Sequence, residues 1–229
     1  MVCSGVDMLY TAEDLRAFEE QVRDIYLQGK IRAPVHLSRG NEKPLIEIFR
    51  SIGPEDWVFS TYRSHYHALL KNVPQYQVMA EILAGHSIHL TFPQYRFYTS
   101  AIVAGILPIA LGAALGIKRR GGTEKVWCFV GDMAALTGAF QECLMYAQSF
   151  DLPITFMVEC NGWSTNSPTH QVWGISHTHV PFFVGRESKF WKYCYDREGW
   201  PHYGVGVRVP FDETRPGFIS REERSDVMG

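Results

Sequence analysis

The sequence predicts an α/β fold, a mostly parallel central sheet flanked by helices on both faces, and three observations carry that expectation. Lys125-Val126-Trp127-Cys128-Phe129-Val130 and Ile154-Thr155-Phe156-Met157-Val158-Glu159 are short apolar runs with β-branched and aromatic residues, the pattern of buried strands. A helical stretch from Ala134 to Phe150 joins them, and strand, helix, strand within about 35 residues is a unit whose two strands lie parallel. The 229 residues suffice for one large domain with a substantial core and are too few for two full ones.

The elements follow in order. Thr11 is a suitable N-cap with Asp14 three residues on, and Leu15, Phe18, Val22 and Ile25 then recur at helical spacing up to an end near Gly29. A loop with Arg32, Pro34 and His36 leads to a helix over Lys43 to Ile52 and a turn at Gly53-Pro54-Glu55-Asp56. Trp57 to Ser60 reads as a short strand that delivers Tyr62-Arg63-Ser64-His65 to a loop. A helix from about Gln75 to Ala84 and an irregular stretch from Gly85 to Tyr98 come next. Ala101 to Ile117 is uncharged, but it falls short of the roughly 20 apolar residues a membrane span needs. With Pro108 inside it and many Gly and Ala residues, it reads as a buried helix of the core, and no membrane partner is expected. Beyond Asn166 periodicity fades, and the charged stretch Arg215 to Gly229 is expected to be partly disordered. Residues 1–175 are expected to form the ligand-binding domain, with 176–229 a C-terminal extension of it.

Composition narrows the function. A net charge of -2 gives no electrostatic reason for nucleic acid or an anionic membrane as partner, so a small molecule or another protein is favoured. Cys3, Cys128, Cys143, Cys160 and Cys194 are odd in number and show no metal-ligand spacing, and the N-terminus carries no export signal, so a reduced, cytoplasmic chain is expected. The chemistry gathers at two strand ends. Asp132 follows one apolar strand and Asn161 the next, and ligands in parallel sheets collect at those carboxyl ends. A carboxylate and an amide oxygen suit magnesium, which completes its shell with waters and phosphates, so a diphosphate ligand is implied. Taken one at a time, Gly131-Asp132 also reads as a plain capped turn and Asn161-Gly162 as an ordinary tight turn.

Four motifs in register carry a family resemblance. Gly131-Asp132-Met133-Ala134, then Gly138, Glu142, Leu152-Pro153 and Glu159-Cys160-Asn161, resemble the thiamine-diphosphate motif that begins GDG and ends NN, with Asp132 and Asn161 29 residues apart as it requires. Ile102-Val103-Ala104-Gly105 with Pro108 resembles an IVGAQVP segment, Tyr62-Arg63-Ser64-His65 a YRxH segment, and Val35-His36-Leu37 with Gly40-Asn41-Glu42 an HLxxGQE segment. All belong to alpha subunits of the first component of 2-oxo acid dehydrogenases. Met133 stands where the motif has Gly and Cys160 where it has the first Asn. The tail does not follow the family, and His177, His179 and His202 are the candidates for its loop histidine.

The resemblance implies a thiamine-diphosphate-binding fold and the decarboxylation of a 2-oxo acid with transfer of the acyl unit. It implies that Asp132, Asn161 and the main-chain carbonyl of Trp163 ligate magnesium, that Tyr62 and Arg63 reach the cofactor, and that Met133 and Ala134 offer main-chain N–H groups. Val103 would wedge the cofactor into a bent shape, with the backbone at Ala101 and Val103 against the aminopyrimidine, and His36 would face the thiazolium as hydrogen-bond donor or proton shuttle. The glutamate that protonates the aminopyrimidine belongs in such enzymes to a beta-type subunit, so an α2β2 heterotetramer is implied, with a lipoyl domain as acyl acceptor. A split transketolase-like or acyloin-forming carboligase acting on an aldehyde, and a non-catalytic protein that retains the fold, are the alternative readings.

Overall fold

The computed structural model describes residues 9–165, 167–174 and 189–196. The charged tail expected to be disordered and the three tail histidines lie outside the described residues.

Helix α1 (Ala12–Leu27) starts where the sequence puts it. The extended Thr11 accepts the Asp14 N–H, and the Asp14 carboxylate accepts the Thr11 N–H at 2.8 Å, a reciprocal cap that satisfies two end groups. Helix α2 (Glu42–Phe49), strand β1 (Trp57–Ser60), helix α3 (His65–Leu70) and helix α4 (Gln75–Leu83) follow. The short strand β2 (Thr91–Phe92), a 3-10 turn at Pro93–Tyr95 and strand β3 (Phe97–Thr99) occupy the stretch expected to be irregular. Then come helix α5 (Ile106–Arg119), strand β4 (Val126–Gly131), helices α6 (Asp132–Ala135) and α7 (Gly138–Ser149), and strand β5 (Ile154–Cys160). A small hairpin of β6 (Trp163–Ser164) and β7 (Ser167–Pro168), helix α8 (Thr169–Trp173) and strand β8 (Phe190–Cys194) complete the described elements.

The main sheet has the order β2-β3-β1-β4-β5-β8, and every neighbouring pair is parallel except β2 with β3. Successive strand residues face opposite sides, and the two faces are covered differently. Val58, Phe129 and Met157 pack into a core with α1, α2, α3 and α4, whereas Phe59, Cys128, Val130, Phe156 and Val158 pack against α5 and α7. Helices thus flank a mostly parallel sheet on both faces, as the sequence predicts.

Three expectations are corrected. The helix expected over Ala101 to Ile117 begins only at Ile106, because Ala104 takes a left-handed φ of 62° that no helix continues. Ile102 and Val103 are consequently 74% and 49% exposed instead of buried. The helix expected over Ala134 to Phe150 is broken: Thr137 is extended, its hydroxyl donates to the Ala134 carbonyl, and α7 restarts at Gly138. The helix expected over Lys43 to Ile52 ends at Phe49. No described helix is long and apolar enough to cross a membrane.

Candidate functional site

Because β1, β3, β4, β5 and β8 run parallel, their carboxyl ends meet at one edge of the sheet, and a cleft opens there. Thr61, Tyr62 and Arg63 line it after β1, Ile102, Val103 and Ala104 after β3, and Gly131 to Ala134 at the end of β4 and start of α6. Glu159, Asn161, Trp163 and Ser164 come from β5 and the hairpin after it, and Tyr195 follows β8. Of the residues the sequence singles out, Tyr62, Arg63, Val103, Asp132, Met133, Ala134, Asn161 and Trp163 are therefore brought together. His36 and Ala101 are not among the lining residues.

Asp132 is fully buried. Its Oδ2 accepts the Gly162 N–H at 3.1 Å and the Thr169 hydroxyl at 2.8 Å, while its Oδ1 is buried without a hydrogen-bond partner. Burial raises its pKa, and the Thr169 hydrogen bond works the other way. A buried carboxylate oxygen left without a donor is costly, and a cation is one way to satisfy it. The neighbouring Asn161 has its Oδ1 against the Trp163 N–H at 2.9 Å and donates from Nδ2 to the Tyr195 hydroxyl at 3.0 Å. Between them Gly162 turns the chain with φ 76°, and its carbonyl accepts the Thr169 N–H at 2.8 Å, so the loop is tied at both ends. Among the described residues no cluster of three or more His, Cys, Asp or Glu side chains is arranged for a metal. Carboxylate, amide oxygen and main-chain carbonyl remain as donors, and hard oxygen donors of this kind suit magnesium.

The wall from β1 is held from below. The Arg63 guanidinium donates to the Leu37 carbonyl, and the His36 ring packs on Tyr62 with centroids 4.6 Å apart. His36 thus rests against Tyr62, a residue of the cleft wall. Burial, with the Arg63 and His65 charges, pushes its pKa down to about 3, so the imidazole is neutral at pH 7. The buried Glu19 of α1 accepts the Ser38 N–H at 2.9 Å and faces His65 Nδ1 at 3.3 Å, which fixes the His36 loop to the segment after β1.

Sequence reasoning missed Glu159 and Tyr195. Glu159 enters the sequence reading only as part of the motif that ends at Asn161, and it lines the cleft. Its carboxylate accepts the Tyr193 hydroxyl and the Asn41 amide and lies 3.3 Å from His67 Nε2. Tyr195 belongs to a tail with little periodicity. The available signal was the run Phe190-Trp191-Lys192-Tyr193-Cys194-Tyr195, rich in the aromatics that favour strands.

A family model described as "Dehydrogenase E1 component" matches residues 10–174. The alpha subunit of the pyruvate dehydrogenase E1 component of Porphyra purpurea is 34% identical over 192 residues, which cover 75% of this chain and 56% of that one. The corresponding chloroplastic alpha-3 subunit of Arabidopsis thaliana is 34% identical over 193 residues, covering 77% and 42%. The alpha subunit of an acetoin:2,6-dichlorophenolindophenol oxidoreductase of Bacillus subtilis is 30% identical over 165 residues, covering 68% and 50%. The chain spans about half the length of these relatives.

Proposed function

The chain belongs to the dehydrogenase E1 component family, and on that premise we propose that it is the diphosphate- and magnesium-holding alpha-type half of a two-chain enzyme that decarboxylates a 2-oxo acid. One observation carries the reading. Buried Asp132, whose Oδ1 has no hydrogen-bond partner, lines a cleft at the ends of parallel strands together with Asn161. Asp132, Asn161 and the Trp163 carbonyl would hold magnesium, and the magnesium would hold the diphosphate of thiamine diphosphate.

Bound thiamine diphosphate supplies the electron sink that lets a 2-oxo acid lose carbon dioxide. The chain's own residues bind and orient. Arg63 would pair its guanidinium with the diphosphate, a charge-assisted contact suited to a planar fork, and Tyr62 beside it would reach the same group. Main-chain N–H groups at Met133 and Ala134 would add donors. Val103 would press from the opposite wall as the apolar wedge, with the backbone at Ala101 and Val103 against the aminopyrimidine. His36, neutral at pH 7, would act as a hydrogen-bond donor or acceptor toward the thiazolium side and not as a cation. The activating glutamate would come from a beta-type partner in an α2β2 assembly. A cytoplasmic location is part of the same proposal.

Calorimetry of thiamine diphosphate with magnesium chloride tests the assignment, using wild type and Asp132→Ala with and without a beta-type chain. Loss of the metal-dependent affinity in the variant is expected. Unchanged affinity would overturn the ligand assignment.

A further inference from the structure

The tail strand β8 reaches the site through its tyrosines. Strand β8 runs parallel to β5 with Tyr193 opposite Glu159 and Cys194 opposite Cys160, and the Tyr195 N–H donates to the Cys160 carbonyl at 2.9 Å, extending the register by one residue. Side chains two apart on a strand share a face. The Tyr193 hydroxyl therefore donates to Glu159, and two residues on, the Tyr195 hydroxyl meets Asn161, with the two rings stacked at 5.8 Å.

The Asn161 amide is oriented from two sides. A main-chain N–H only donates, so the atom that Trp163 N meets at 2.9 Å is the oxygen. The NH2 must then face the other way, and there the Tyr195 hydroxyl accepts it at 3.0 Å. An amide flip would set two donors, the Trp163 N–H and the Asn161 NH2, against each other.

We propose that Tyr195 is a positioning residue that fixes the Asn161 amide so that its oxygen is presented to the cation beside Asp132, which gives part of the divergent tail a role in cofactor binding. The inference rests on the reading of Asn161 as a magnesium ligand. Residues that orient a ligand typically change metal affinity by roughly 10–100-fold when removed. Tyr195→Phe keeps the ring and its stacking on Tyr193 and deletes only the acceptor.

The test is calorimetry of thiamine diphosphate with magnesium chloride on the full chain, with thermal unfolding as a control for folding. Wild type, Tyr195→Phe, Asn161→Ala, Asn161→Asp and the Tyr195→Phe/Asn161→Asp double variant are compared. Tyr195→Phe is expected to weaken binding about tenfold with an unchanged unfolding midpoint. In the Asn161→Asp background the same change is expected to cost less than about threefold, because a carboxylate presents an oxygen whichever way it turns. If Asn161→Ala weakens binding and Tyr195→Phe does not, or if Tyr195→Phe costs as much on Asp as on Asn, the positioning role is overturned and the metal site stands. If Asn161→Ala leaves affinity unchanged, the ligand reading itself fails and the inference falls with it.

Discussion

His36 shows how surroundings set what one residue can do. An exposed imidazole changes charge near pH 6.5, but burial against Tyr62, with Arg63 and His65 close by, holds this one neutral down to about pH 3. Between those two values the unfolded chain binds a proton that the folded chain refuses, so stability rises with pH through the window and falls as pH drops below 6.5. His36→Gln removes that group. Its urea midpoint is expected to fall less between pH 7 and pH 5 than that of wild type, as equilibrium unfolding at the two pH values would measure. Parallel losses in the two proteins would mean that the folded His36 is as easily protonated as a free one. The same neutrality bears on the proposed function, because a neutral ring against Tyr62 would act by hydrogen bonds and would add no positive charge to the cleft.

At the scale of elements, the segment between β3 and α5 is the informative departure. Ala104 carries a φ of 62° where the IVGAQVP segment has glycine, and the turn it makes lifts Ile102 and Val103 out of the core and into the cleft wall. A left-handed residue other than glycine costs roughly 1–2 kcal/mol, while glycine loosens the unfolded chain by about 0.4–1 kcal/mol. Ala104→Gly is therefore expected to leave stability within about 1 kcal/mol of wild type, whereas the β-branched Ala104→Val should destabilise by more than 1 kcal/mol. Equal midpoints for the two variants in urea would contradict the strain. Sequence periodicity could not foresee this, since Ala101 to Ile117 is uniformly uncharged and only one backbone angle decides where its helix starts. The same limit explains α3: His65 to Leu70 is buried all round and so shows no amphipathic stripe. By contrast α1, β1, β4 and β5 were legible, because a capping box and short apolar runs are local signals. Asp132 and Asn161 were legible because parallel strands make their ends neighbours, whereas Tyr195 acts through a pairing whose partner lies over thirty residues away.

At the scale of the whole molecule, two acidic side chains line the cleft among the described residues, Asp132 and Glu159, and both are already engaged. Asp132 is held by Gly162 and Thr169 at the proposed cation site, and Glu159 is engaged by Tyr193, Asn41 and His67. The opposite wall ends in Ile102 and Val103, two apolar side chains left in water. The proposed division of labour would have this chain hold diphosphate and metal while a second chain supplies the glutamate. The purified chain with thiamine diphosphate, magnesium and pyruvate is expected to show no turnover above background. Adding a beta-type chain is expected to produce carbon dioxide release together with a larger species on gel filtration, in proportion to the complex formed. Robust decarboxylation by the chain alone would mean that the activating carboxylate is already present in it, and the half-site reading would have to be abandoned.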